Sequence, residues 1–283
     1  RINAWIEKQT RDRIKDILQK GDLNRLTRLV LANAIYFKGQ WSEPFDESAT
    51  KPQDFTLASG TKIKVPTMTD YKQIKYAAFN ADGSFFETPR TVPLGKNPNK
   101  LKNTYPGKDG FAMIELPYRG NELSMVVIVP QDPNGLPALV KNLTAEKLDG
   151  WVKKMNKRNV FVYLPKFKLE TNYQLIKPLK SLGMREAFVE PDPRGGADFS
   201  GMTSSMRRDL YISKVIHKAF VEVNEKGTEA AAATVVAVAQ ATSVRVMVPF
   251  NPTFKADRPF LFLIRHMNTG SILFMGKVAN LEG

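Results

Sequence analysis

Nucleophiles and metal ligands are where chemistry would start, and this chain is poor in both. It has no cysteine and two histidines, His217 and His266. That excludes a thiol nucleophile, Cys-ligated zinc and iron–sulfur clusters, and it argues against a His-rich metal site. The sequence contains no Gly-x-Ser-x-Gly elbow, no His-Glu-x-x-His pair and no Walker loop. A hydrolase is not expected on these grounds, and no metal or cofactor is implied.

One segment stands apart. Residues 225–243 read EKGTEAAAATVVAVAQATS, long and almost free of turn residues. A surface loop should be polar and rich in Gly, Pro, Asn and Asp. Glu229 followed by Ala230, Ala231, Ala232 and Ala233 is a strong helix former. Val235, Val236 and Val238 pull instead toward strand. A segment acceptable as loop, helix or strand suits a conformational switch. The small side chains at Ala230 to Ala233 would let it enter a packed sheet without overpacking.

Elements must position such a segment. Ile2, Trp5, Ile6, Ile14, Ile17 and Leu18 recur at helical spacing and predict one amphipathic helix, closed by Lys20-Gly21. The apolar run Leu29–Phe37 predicts a central strand covered on both faces, with Asn33 in its middle needing a partner. Phe55 to Val65 predicts a hairpin around Ser59-Gly60. Residues 80–110 are rich in Gly, Pro, Asn and Lys and predict a long surface excursion.

Phe111–Pro117 and Leu123–Pro130 predict two strands about Arg119-Gly120-Asn121. Leu136–Leu143 and Ala145–Met155 predict two short helices. Asn142-Leu143-Thr144 is a formal glycosylation sequon, but Thr144 fits better as an N-cap. Val160–Leu169 and Ala219–Val223 predict strands, and Gln174–Ser181 a helix ended by Leu182-Gly183. Pro259–Ile264 and Ser271–Val278 predict a closing hairpin across Asn268-Thr269-Gly270. The sum is an α+β fold built on sheets, with no internal repeats.

The chain resembles the serpins, the serine-protease-inhibitor superfamily. Asn224-Glu225-Lys226-Gly227-Thr228-Glu229-Ala230-Ala231-Ala232-Ala233-Thr234 is similar to the serpin hinge. Leu31 to Trp41 (LANAIYFKGQW) resembles the family's central strand with its following Trp. Ile216-His217-Lys218-Ala219-Phe220 resembles the strand before the hinge. Leu164-Pro165-Lys166-Phe167, Asp257 to Ile264 and Leu273 to Val278 fit as well. The motifs run in serpin order from Arg1 to Gly283 and together are very specific. The resemblance implies one serpin domain over residues 1–283 that begins at the helix crossing the main sheet, so a preceding segment is expected. It also implies a reactive-centre loop over residues 225–248. The insert from Ala81 to Gly110 departs from the commonest pattern.

The resemblance implies a mechanism too. A serpin is metastable, and serpin loop insertion is itself a known case of strand addition that releases stored strain. A serine, or in some cases cysteine, endopeptidase attacks the loop and forms an acyl-enzyme. The cleaved loop then enters the main sheet as a new strand and distorts the attached protease. The inhibitor itself supplies no catalytic residue. Gly227 and Thr228 would be the hinge, followed by Glu229 and the alanines. Glu225 would pair with Lys166, Asn33 with His217 where the sheet strands part, and Trp41 would pack at the loop's entry.

The scissile bond has two readings. Counting fourteen residues on from Gly227 gives Ala241 as the specificity position, with Thr242 after it. The stretch from Ala241 to Pro259 is longer than the common pattern, and counting back from there favours Arg245. Four extra residues would leave slack of roughly 13 Å in an inserted strand, which favours the hinge-side count. Ala241 implies elastase- or subtilisin-like targets with small S1 pockets, whereas Arg245 implies trypsin-like ones. The alternative to an inhibitor is a non-inhibitory serpin acting as a binding or storage protein.

With 42 Lys+Arg against 28 Asp+Glu the net charge is +14, which would attract polyanions such as heparin. The basic residues are dispersed, and a solvated charged face is the favoured reading of them. No segment approaches the roughly 18 apolar residues of a membrane helix. A monomer in an extracellular or secreted setting is expected with the resemblance.

Overall fold

The computed structural model describes residues 1–24, 27–97, 101, 104–192, 195–204, 207–226 and 247–281. In chain order its elements are α1 (Ile2–Gln9), β1 (Leu29–Phe37), β2 (Lys51–Thr56), β3 (Lys62–Phe79), β4 (Phe85–Phe86), β5 (Thr91–Pro93), β6 (Phe111–Pro117) and β7 (Leu123–Pro130). There follow α2 (Leu136–Asn142), α3 (Ala145–Lys154), β8 (Asn156–Pro165), β9 (Phe167–Gln174), α4 (Ile176–Ser181) and β10 (Ile212–Val223). β11 (Met247–Pro249), β12 (Thr253–Lys255), β13 (Phe260–His266) and β14 (Ile272–Val278) close the chain. The chain divides into two compact units, residues 1–38 with 168–222, and residues 39–167 with 223–283.

The first unit carries a three-stranded sheet in the order β1-β10-β9. β1 and β10 are parallel and directly paired, from Leu29↔Ile212 to Phe37↔Val221. The predicted strand is present, but it is not covered on both faces. It lies at the edge of its sheet, and Leu31, Ala32 and Asn33 are exposed.

The helix predicted through Leu18 stops at Gln9. The Thr10 hydroxyl donates to Ile6 O at 2.9 Å and accepts from Ile14 N at 3.1 Å, and Arg11 and Asp12 take positive φ. This side chain competes with the helical ladder for backbone partners, as Thr does near helix ends. The Asn3 side chain then holds Leu18 by its backbone N–H and C=O, at 3.0 and 2.8 Å. Ile14 and Ile17 still reach the core beside Ile6, against Ile216 and Phe220, without being helical. Ile212 and Val215 pack in a separate cluster with Ala187 and Phe188, flanked by Ile176 and Leu179 of α4.

The second unit holds a large sheet in the order β12-β8-β3-β6-β7-β13-β14, with β2 and β4 also paired to β3. The hairpins predicted about Ser59-Gly60, Gly120-Asn121 and Thr269-Gly270 are present. Gly120 and Asn121 both take positive φ, +91° and +55°, which these residue types tolerate. The single strand predicted over Val160–Leu169 is instead two, β8 and β9, divided at Lys166. α2 and α3 bury Leu136, Leu139, Leu148 and Trp151 against Phe79, Phe111, Met113 and Leu263. Thr144 opens α3, its hydroxyl accepting from Lys147 N at 3.3 Å.

The sequence did not flag a buried ionic cluster in this sheet. Glu115 Oε1 accepts from Arg265 Nη1 and from Ser124 Oγ, both at 2.8 Å, while Lys75 Nζ lies 2.9 Å from Oε2. The surface excursion also contributes strands of its own: β4 joins β3, and β5 joins β11.

Candidate functional site

One candidate site is the seam between β1 and β10, within the first unit. Their register sets Asn33 opposite His217. Asn33 Oδ1 lies 3.0 Å from His217 Nδ1, so Nδ1 carries the proton in this pairing. Asn33 thus finds its polar partner across the seam, and neither side chain is buried core. The neighbouring Lys218 is buried and donates to Lys15 O at 2.7 Å, which ties β10 to the irregular turns after α1.

A separate candidate site, within the second unit, is a seat for the chain just after β10. Glu225 is 5% exposed. Its Oε2 lies 2.9 Å from Lys166 Nζ, at the break between β8 and β9. Its backbone carbonyl accepts from Phe45 N at 3.0 Å. Trp41 Nε1 donates to Asn224 O at 2.9 Å, and the Trp41 ring stacks on Tyr118 at 4.6 Å. Lys226 Nζ reaches Glu47 Oε1 at 3.3 Å.

Residues 41–47 therefore grip residues 224–226 by backbone and side chain. That loop is fixed in turn by Lys72, a buried cation. It donates to Glu43 O and Pro44 O at 2.7 and 2.9 Å, pairs with Asp70 at 2.8 Å and lies 4.5 Å over the Phe45 ring. The sequence reading missed Phe45, Glu47, Lys72 and Tyr118. Lys72 is one of four lysines in β3, and nothing in its residue type marks it.

Electrostatics hold Glu225 ionised. Burial pushes its carboxyl up, but the Lys166 ammonium and a backbone amide outweigh this and hold it below the ordinary value of 4.5. A carboxyl depressed on folding stabilises the fold fully above its unfolded value, and that stabilisation is lost as pH falls through the folded value. Lys166→Met leaves this carboxylate without its cation. It is expected to cost about 1–3 kcal/mol at neutral pH. Chemical denaturation curves of the two proteins should then converge as pH drops below the carboxylate range.

The other expected site residues, Gly227, Thr228, Glu229, Ala230, Ala231, Ala232, Ala233, Ala241, Thr242 and Arg245, lie outside the described residues. The structure thus brings together Asn33 with His217, and Lys166 with Glu225 beside Trp41.

Known proteins share this arrangement of sequence. The sequence profile described as Serpin (serine protease inhibitor) matches residues 1–281. A leukocyte elastase inhibitor from Equus caballus is 39% identical over 285 residues, covering 99% of this chain and 65% of that protein. Serpin B6 from Pongo abelii is 39% identical over 281 residues, covering 99% and 64%. Among solved structures, uncleaved ovalbumin matches with a TM-score of 0.74 and 28% identity over 99% of this chain and 61% of its own. Native protease nexin-1 with heparin matches with a TM-score of 0.76 and 32% identity over 99% and 65%. The chain thus spans 64–65% of the length of these two curated relatives.

One expectation is corrected here. The exclusion of an enzyme was too strong: relatives named as inhibitors bear on catalysis by this chain neither way. The extracellular setting has no support in the family description or in these names. What the profile match and the 39% identity do establish is descent, and this chain belongs to the serpin family.

Proposed function

We propose that the chain is an inhibitory serpin, a suicide substrate whose cleaved loop enters the β1–β10 seam and traps the attacking protease. The observation that carries this reading is the direct parallel pairing of β1 with β10. A chain that leaves β10 and folds back runs antiparallel to β10, and hence antiparallel to β1 as well. Its entry would replace one parallel ladder with two antiparallel ones. Parallel pairing is slightly the less stable per residue, and a second ladder is gained besides. On this reading the topology contributes part of the free energy of insertion.

Reach agrees with this. Gly227 to Ala241 spans about 46 Å as a strand at roughly 3.3 Å per residue. The paired length of β1 is nine residues, about 30 Å on the same rise. An inserted strand ending at Ala241 would carry its attached protease past the far end of the seam. The seat at 224–226 supplies the fixed pivot. Ala241 with Thr242 is the proposed reactive bond, and a protease with a small S1 pocket the proposed target, in keeping with the relative named for leukocyte elastase.

The test is incubation with pancreatic elastase and denaturing electrophoresis. An inhibitor gives a covalent band near the summed mass, together with loss of elastase activity. Complete loop turnover with no such band, and full residual activity, would favour the binding or storage reading.

A further inference from the structure

Two departures from the common serpin pattern, the 81–110 insert and the long stretch after Ala241, meet in the structure. β11 pairs with β5: Met247↔Pro93, Val248↔Val92 and Pro249↔Thr91. Phe250 N donates to Arg90 O at 2.8 Å. This ribbon is weak by itself, because it is three residues long and Pro93 and Pro249 each lack an N–H.

Arg158 of β8 supplies the missing hold. Its Nη1 donates to Thr88 O at 2.8 Å, and its Nη2 to Pro89 O at 2.5 Å and Phe250 O at 3.0 Å. Three carbonyls, two from the insert and one from the residue after β11, thus converge on one guanidinium. Val92 and Phe250 are buried, and Tyr105 meets the Phe250 ring edge-on at 5.8 Å. A planar fork of donors can serve three acceptors where an ammonium cannot hold the same geometry.

We propose that Arg158, with β5, is an anchor that determines which bond of the reactive segment a protease can cut; this rests on the reading of that segment as protease bait. Proteases bind a substrate as an extended strand, on both sides of the scissile bond. For a cut after Arg245, the first three residues on the leaving side are Val246, Met247 and Val248. Met247 and Val248 are committed to β5. For a cut after Ala241 the corresponding residues are Thr242, Ser243 and Val244, none of them in β11. A cut after Arg245 would therefore require Met247 and Val248 to be stripped from β5, whereas a cut after Ala241 would not.

The experiment is limited digestion of the whole chain with trypsin and, separately, pancreatic elastase, with mass analysis of the C-terminal peptides. Arg158→Ala should raise the rate of the trypsin product beginning at Val246 by about tenfold or more, the scale of a lost charge-assisted hydrogen bond. The elastase product beginning at Thr242 should keep its rate within about twofold on the same reasoning. Arg158→Lys keeps the charge without the fork and should shift the trypsin rate in the same direction, which covers the case where the alanine variant fails to fold. Equal trypsin rates in all three proteins would overturn the anchor, as would a parallel rise of both products. Neither outcome depends on inhibition, so failure of the anchor is separable from absence of the covalent complex.

Discussion

Replacing Thr228 with arginine is expected to turn the chain from an inhibitor into a substrate, lowering the yield of covalent complex by about a hundredfold or more. On the serpin reading Thr228 is among the first residues to enter the seam after the pivot at Glu225. One face of the sheet it would enter is packed, with Ile216 and Phe220 of β10 against Ile14 and Ile17. A guanidinium brought into such a place without a carboxylate costs several kcal/mol, and each 1.4 kcal/mol on the barrier to insertion is tenfold in rate. Deacylation of the protease is untouched, so the acyl-enzyme partitions to hydrolysis.

Cleavage itself should hardly change. Thr228 lies thirteen residues before Ala241, outside the reach of a protease's subsites. Titration of elastase with the variant should show a stoichiometry far above one, with loop cleavage within about twofold of the unaltered rate. An unchanged complex yield would mean that this residue never enters the sheet.

The parts of this site that sequence made legible are those whose signal is local. Asn33 is a polar residue inside an apolar strand and so needs a partner, which His217 supplies. Thr144 advertised a cap by residue type, and its hydroxyl does accept from Lys147 N. Lys166 and Glu225 were paired through the resemblance alone, since nothing in spacing links residues so far apart.

What stayed illegible is backbone recognition and chain path. Arg158 and Lys72 act on carbonyl oxygens, which every residue possesses, so no residue type on the partner side betrays them. The spacing of Ile6, Ile14 and Ile17 described a common buried face correctly but assigned it to one helix. The Thr10 side chain and two positive-φ residues break that helix while delivering the same isoleucines to the same core. The partial cover of β1 could not be read from hydrophobicity, because an apolar run records what a strand would bury and not what lies against it.

Cleavage of the reactive segment is expected to part β1 from β10 along their paired length, and this is the second large effect. Strands in direct pairing lie about 4.8 Å apart, and one added strand doubles that to roughly 10 Å. A disulfide needs Cα atoms within about 7 Å, so it can form across the closed seam and not across an opened one. The chain has no cysteine of its own, which makes an introduced pair unambiguous. Ile35 and Ala219 face each other in the register and are both half-buried, suitable for Ile35→Cys with Ala219→Cys. Oxidised before cleavage, this variant has its seam locked, and it should be cut by elastase as a substrate without forming the covalent complex.

The decisive measurement is the cross-link yield of the reduced variant when it is oxidised after loop cleavage, compared with the uncleaved protein. Strand insertion predicts near-complete cross-linking before cleavage and almost none after it. An equal yield in the two forms would show that the seam stays closed when the loop is cut, and would contradict the inhibitory mechanism.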